Sequence, residues 1–185
     1  MRRIPTLLCL ALLAAACGDA PSGQDRPLVA ATPWPLQWLA EQVAPEAEVR
    51  GLGQAGQDPH ELDLRPAERE LLERADVVLF VGPVGFQPQV EEAAAGRGEA
   101  AVAITQAAAD LLLDAEAHEH AEDEHAEDEH AEDEAVDPHV WFDPRTLAEA
   151  ADALAEALAA VDPDRADGYR ERAAAVRGRL LALHE

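Results

Sequence analysis

Two segments of this chain place a histidine in the same short context: QDPHELDLRP around His60 and VDPHVWFDP around His139. A neutral imidazole offers a lone pair to zinc, copper or nickel. The proline just before each histidine fixes its own φ and biases the residue ahead of it towards an extended shape. Two stiff Asp-Pro-His turns can therefore hold two imidazoles at set angles, the preorganisation a metal site needs. A single loop histidine is more often a surface or capping residue. It is the matched pair that raises metal ligation above that reading.

A different kind of donor set lies between the two turns. His120 to Glu134 is three copies of His-Ala-Glu-Asp-Glu, with His118 just ahead. A period of five matches neither helix nor strand, and packed like charge with only alanine between predicts a segment without fixed structure. His118, His120, His125 and His130 beside many carboxylates suit weak, exchangeable binding of several metal ions. The bland alternative is a solvated acidic linker, but an acidic linker does not need four regularly spaced imidazoles.

Composition narrows the function further. The formal net charge is -24, and all fourteen basic residues are arginine. A polyanion of this kind does not seek phosphate backbones, so nucleic acid is excluded as a partner. Both cysteines fall within the first seventeen residues, which excludes a disulfide framework and a thiolate zinc site in the rest of the chain. HEH at His118 to His120 lacks the H-E-x-x-H spacing that puts two ligands on one helical face. Neither Ser22 nor Cys17 has a base beside it, so a metalloenzyme is not expected.

The N-terminus reads as an address. Arg2 and Arg3 precede a short apolar run, Leu7 to Ala16, too short to span a bilayer. LAAAC ends at Cys17 and resembles a lipobox, so residues 1–16 are expected to be a lipoprotein signal and Cys17 the lipidated residue. Two or three acyl chains, each buried methylene adding about 0.8 kcal/mol, would hold the protein at the membrane. Residues 17–26 are polar and small, a tether. The location expected is extracytoplasmic, anchored to the membrane, or periplasmic if the signal is simply cleaved.

The elements that must position the histidines follow from the apolar pattern. Leu28 to Thr32, Glu48 to Leu52, Asp76 to Val81 and Ala101 to Thr105 read as strands. Between them, Trp34 to Val43, Pro66 to Arg74 and Val90 to Ala95 read as helices. Gln54 to Leu64 is a loop. Alternation of apolar strands with helices predicts an α/β fold with a parallel four-stranded sheet covered on both faces. In such sheets ligands collect beyond the carboxyl ends of the strands, which puts the loop after Gly51 on the ligand-facing rim. Asp143 is expected to cap an amphipathic helix to Ala160. Asp162 and Pro163 are expected to start a last, long helix through Tyr169, Val176, Leu180 and Leu183. Trp141 and Phe142 are expected to pack under the His139 turn, and Leu62 and Leu64 to anchor the His60 loop.

DPHELDLRPAERELLERADVVLFVG (residues 58–82) and DPHVWFDPRTLAEAADALAEALAAVDPDRADGY (residues 137–169) resemble the two N-terminal signatures of ZnuA-type metal-binding proteins of ABC importers, with a His-rich charged loop between them as in the zinc members. The resemblance covers about Leu28 to Glu185. It implies a clamshell of two α/β lobes joined by a long helix, with the metal between the lobes. It implies one ligand from each signature, His60 and His139 here, and a third histidine and a carboxylate or water from a second lobe. Residues 27–115 would then form the metal-binding lobe, 116–135 the repeat loop, 136–160 the second ligand turn and its helix, and 161–185 the start of the linking helix. The pattern stops within that helix, so the chain is expected to be truncated, and His184 matches no family position. The cargo expected is Zn2+, with Mn2+, Cu2+ or Ni2+ as related ions. The expected partners are an ABC permease and the membrane, with a monomer when full length. The alternative is a transport-incompetent fragment that buffers metal at the membrane through its repeat.

Overall fold

The computed structural model describes residues 26–54, 56–112 and 137–184. Four strands, β1 (Leu28–Ala31), β2 (Glu48–Gly51), β3 (Val77–Phe80) and β4 (Ala101–Ala103), form one sheet in the order β2-β1-β3-β4. All three pairings are parallel, with Val29 opposite both Val49 and Val77, and Leu79 opposite Val102. Side chains alternate across the sheet because the strand period is two. Val29, Ala31, Val77, Leu79, Val81 and Val102 enter one core. Ala30, Val78, Phe80 and Ala103 enter a second, smaller one on the other face. A strand buried on both sides has to be apolar throughout, which is why DVVLFV is so strong a strand signal.

The crossovers start where prolines allow. Pro33 stops β1 and caps α1 (Trp34–Val43), with Pro35 in its first turn, where the missing N–H costs nothing. Pro66 opens α2 (Pro66–Arg74) and Pro88 opens α3 (Pro88–Ala94). At the end of β3, Gly82 takes φ +148°, and a Cβ there would overlap Thr105 Oγ1. Glycine is therefore required for the chain to turn away so close to its neighbour. The strand expected over Ala101 to Thr105 is cut short. Ile104 and Thr105 instead begin a four-residue helix, α4 (Ile104–Ala107), whose Ile104 is fully buried. A buried pair of β-branched residues at a strand end fits a helix turn as readily as a strand, so periodicity does not separate them.

Two antiparallel helices close the larger core. On α5 (Pro144–Val161) the buried stripe is Leu147, Ala148, Ala151, Leu154, Ala155 and Leu158. On α6 (Ala166–Leu181) it is Tyr169, Ala173, Val176 and Leu180, spaced four, three and four. Alanine lets the two axes approach closely, and arginine fastens the pair. Arg177 reaches Asp152 and Glu149 on α5. Arg172 donates to the Val43 carbonyl and to Glu46 beyond α1.

The expected cap of the last helix is corrected here. Asp162 makes no side-chain cap bond, and a 3-10 turn, Pro163–Arg165, precedes α6. Its carboxylate instead takes the Tyr169 hydroxyl and the Arg165 guanidinium, both at 2.6 Å. Burial and this anionic acceptor together push the Tyr169 hydroxyl pKa up. A buried hydroxyl needs a partner, and that demand outweighs a cap that a 3-10 turn replaces.

Candidate metal centre

Both Asp-Pro-His segments form 3-10 turns at the strand-end rim, Pro59–Glu61 and Pro138–Phe142. Each is closed in the same way. Asp58 Oδ1 accepts from the His60 N–H and Asp137 Oδ1 accepts from the His139 N–H, both at 2.9 Å. The shared sequence context is thus a shared piece of geometry: aspartate folds back on the backbone two residues on, and proline holds the first turn.

The two imidazoles meet across 79 residues of sequence, with Nε2 to Nε2 at 2.9 Å. Beneath them is an aromatic shelf. Phe86 meets the His60 ring edge-on at 4.7 Å, and Trp141 lies 5.3 Å from the His139 ring and 5.1 Å from Phe86. Phe86 and Trp141 are buried. Phe142 is not beneath the turn as expected. It is 76% exposed and stacks beside the His139 ring at 6.5 Å. In a tight turn successive side chains diverge, so Trp141 and Phe142 cannot both point inward.

The turns differ in one respect. Asp137 Oδ1 also lies 2.7 Å from His139 Nδ1, whereas Asp58 bonds to the backbone of His60 and not to its ring. The His139 N–H groups hold the Asp137 carboxyl below its ordinary range, the backbone bond contributing most. A carboxylate on Nδ1 assigns the proton there and leaves Nε2 as the lone-pair atom. With that tautomer, His60 Nε2 donates to His139 Nε2. Zinc–nitrogen bonds of about 2.0–2.1 Å at tetrahedral angles set two nitrogens about 3.3 Å apart. The pair would open by a few tenths of an ångström, and the His60 proton would move to Nδ1. The donors therefore fit an imidazole-binding cation. Asp137→Asn is expected to weaken zinc binding about 10–100-fold with the fold unchanged, measured by competition with a chromophoric chelator.

The loop that carries His60 is fastened at both ends to Glu68, a buried carboxylate on α2. Glu68 accepts from the Gly53 N–H, the Arg65 N–H and the Arg65 guanidinium at 3.0, 2.8 and 2.6 Å. Within the loop, Gln57 Nε2 donates to the Glu61 carbonyl, and Gln87, just before α3, donates from Nε2 to the Pro59 carbonyl. Leu64 is buried and Leu62 half-buried in the smaller core, as anchors should be. The Arg65 side chain dominates in holding the Glu68 carboxyl down to about 2, from an ordinary 4.5. A depressed carboxylate stabilises the fold fully above its unfolded value and loses that contribution as pH falls through the folded one. Glu68→Gln is expected to lower stability by about 1–3 kcal/mol at neutral pH. Its difference from the parent should shrink as pH drops from 4.5 towards 2, read from denaturant midpoints along a pH series.

Other expected positions divide. A cleft of about 560 Å³ beside the His60 turn is lined by Gly51, Gly53, Trp34 and Pro59, which places the loop after Gly51 on the rim. Asp143 caps α5 through the Arg145 N–H at 2.8 Å. Burial works against the charge of Asp143, yet Arg145 holds its carboxyl below the ordinary range, with a further contribution from His184. The end of α6 thus returns His184 to the same end of the molecule. Even so, among the described residues no three histidine, cysteine or acidic groups converge on one metal position. His118, His120, His125, His130 and Cys17 lie outside the described residues. Phe86, Gln87 and Glu68 carry no sequence signal of a site role. The contact of Asp137 with the imidazole ring follows a general rule, since a metal-binding histidine commonly donates its other ring N–H to a carboxylate, but the sequence does not say which of the two aspartates makes it.

The architecture is that of a parallel α/β lobe with paired imidazoles on its strand-end rim. The chain belongs to the family described as zinc-uptake complex component A, periplasmic, whose model matches residues 29–185. It is 33% identical to the high-affinity zinc uptake system protein ZnuA of Paracoccus denitrificans, covering 94% of this chain and 60% of that protein. It is 27% identical to the zinc-binding lipoprotein AdcA of Streptococcus pneumoniae, covering 99% of this chain and 37% of that one. A crystal structure of ZnuA superposes with a TM-score of 0.63 at 23% identity over 86% of this chain and 56% of its own. The fold is therefore shared, and the chain spans just over half the length of that structure.

Proposed function

We propose that the chain captures zinc, or a related divalent ion that favours imidazole, outside the cytoplasmic membrane and passes it to an ABC-type permease. One observation carries the reading: two Nε2 atoms delivered by separate turns converge to 2.9 Å. Chance surface histidines are not buttressed by a buried aromatic shelf, an aspartate on the ring and a loop tied at both ends. Imidazole donors favour zinc, copper and nickel over manganese, which prefers oxygen. Family membership and the named zinc relatives support zinc among these. The acidic histidine repeat would raise the local metal concentration, and lipidation of Cys17 would keep the protein at the membrane. Among the described residues no helix is long and apolar enough to cross a membrane.

The test is a zinc titration by chelator competition, run on the chain and on a variant lacking Ala117 to Glu134. A site tighter than about micromolar, equivalent to about 8 kcal/mol, should survive the deletion. Binding that is weak and vanishes with the repeat would replace capture by membrane-tethered buffering.

A further inference from the structure

Once His60 gives its Nε2 lone pair to zinc, its ring proton is on Nδ1, and a metal-bound imidazole almost always donates that proton to an acceptor. His139 has its acceptor in Asp137, 2.7 Å from Nδ1. Asp58, the matching aspartate, bonds to the His60 backbone instead. We propose that Gln87 supplies the missing partner: its Oε1 accepts the Nδ1–H that His60 carries when zinc occupies Nε2. The proposal rests on the metal-capture reading and names the residue that orients the second ring.

An orphaned acceptor carries the assignment. Gln87 is 5% exposed, and its Oε1 is buried with no hydrogen-bond partner among the described residues. Native folds leave few buried oxygens in that condition, and each exception asks for a role. Because the atom is buried, a segment docking on the rim does not reach it; the groups that can serve are those already packed around it. The other end of the same amide is at the His60 turn. Gln87 Nε2 donates to the Pro59 carbonyl at 3.0 Å, and that carbonyl carbon is bonded to the His60 nitrogen. A carbonyl can only accept, so it fixes which end of the amide is nitrogen and leaves the oxygen as the free end. The two amide atoms share one carbon and lie roughly 2.2 Å apart, which keeps Oε1 close to the residue whose ring needs it.

The segment around Gln87 is held for this role. Glu91, on the first turn of α3, accepts from the Gly85 and Gln87 N–H groups, both at 3.2 Å. Phe86 between them meets the His60 ring edge-on. One short stretch of chain therefore backs the ring and pins its turn. The proton count is balanced: one proton leaves Nε2 to water and one enters Nδ1 from water, so the ring stays neutral. Gln87 does not touch the metal and is a positioning residue.

Heteronuclear NMR of the histidine ring N–H groups tests this in the chain carrying one zinc, with the variant lacking Ala117 to Glu134 identifying the repeat signals. The His60 Nδ1–H should exchange slowly with water, as the His139 Nδ1–H does. Gln87→Met removes both ends of the amide. It should speed exchange at His60, leave the His139 signal unchanged and weaken zinc binding about 10–100-fold. Gln87→Glu separates the two ends, because a carboxylate accepts from Nδ1–H and cannot donate to the Pro59 carbonyl. It should restore slow exchange and recover most of the affinity lost in Gln87→Met. If Gln87 only pins the turn, Gln87→Glu will match Gln87→Met in both readouts, and the inference is overturned. Fast exchange at the His60 Nδ1–H of the zinc-loaded parent would overturn it without any variant, and tight binding in that sample would leave metal capture standing. Absence of tight binding after the deletion would remove both.

Discussion

Alanine at His139 is expected to weaken zinc binding at the rim by at least about 100-fold, because loss of a mere outer partner of a ligating histidine already costs about 10–100-fold. His60→Ala should do the same, and the double variant should be little worse than either. The two rings act as one chelating unit: once one imidazole is gone, the other is an isolated surface donor. The loss should appear as affinity and not as unfolding, since both turns stay closed through backbone bonds to Asp58 and Asp137. Chelator competition in the variant lacking Ala117 to Glu134 measures it cleanly, with far-ultraviolet circular dichroism as the control for fold. If either single variant keeps parental affinity, the paired turns are a hydrogen-bonded surface feature and the metal lies elsewhere.

The second large effect concerns the platform. Leu154 is fully buried on α5, within the core shared with the sheet, α1 and α6. Leu154→Ala should cost about 2–5 kcal/mol, the sum of lost burial and the cavity left behind. One turn away on the same helix, Ala150, Ala151 and Ala157 are alanines and only Leu158 is long, so little can move into the gap, which argues for the upper part of that range. A domain of this kind has about 5–15 kcal/mol in total, so the variant should be marginal at 37 °C. Urea unfolding would show a lower midpoint with an unchanged slope. Because zinc binds only the folded state, the metal should recover part of the loss in the parent site and none in the His60→Ala/His139→Ala background. A loss below about 1 kcal/mol would mean that α5 and α6 are not docked on the sheet as described.

The strong elements were legible because a single physical rule governs each. DVVLFV must be a strand buried on both faces, and it is β3. Pro66 and Arg74 bound α2 as written, since proline is free to occupy a first helical turn and nothing before Arg74 breaks the apolar stripe. Asp143 caps α5 because aspartate before proline has one short route to an orphan N–H. Rules that compete gave the errors. Ile104 and Thr105 satisfy either a strand end or a helix start, and only contact with the core selects the helix. Asp162 can cap a backbone or satisfy a buried tyrosine hydroxyl, and only the burial of Tyr169 decides. Trp141 and Phe142 are both large aromatics, and only the turn's geometry sends one inward.

By itself, then, the sequence determined the parallel α/β class, the two stiff Asp-Pro-His turns and the imidazole chemistry they offer, because periodicity, proline and side-chain donors are local properties. Tertiary structure decided that the two turns face each other at 2.9 Å, that Asp137 holds one ring and Phe86 backs the other, and that Glu68 closes the loop between Gly53 and Arg65. Those are relations between segments far apart in the chain, and no local rule carries a distance across 79 residues.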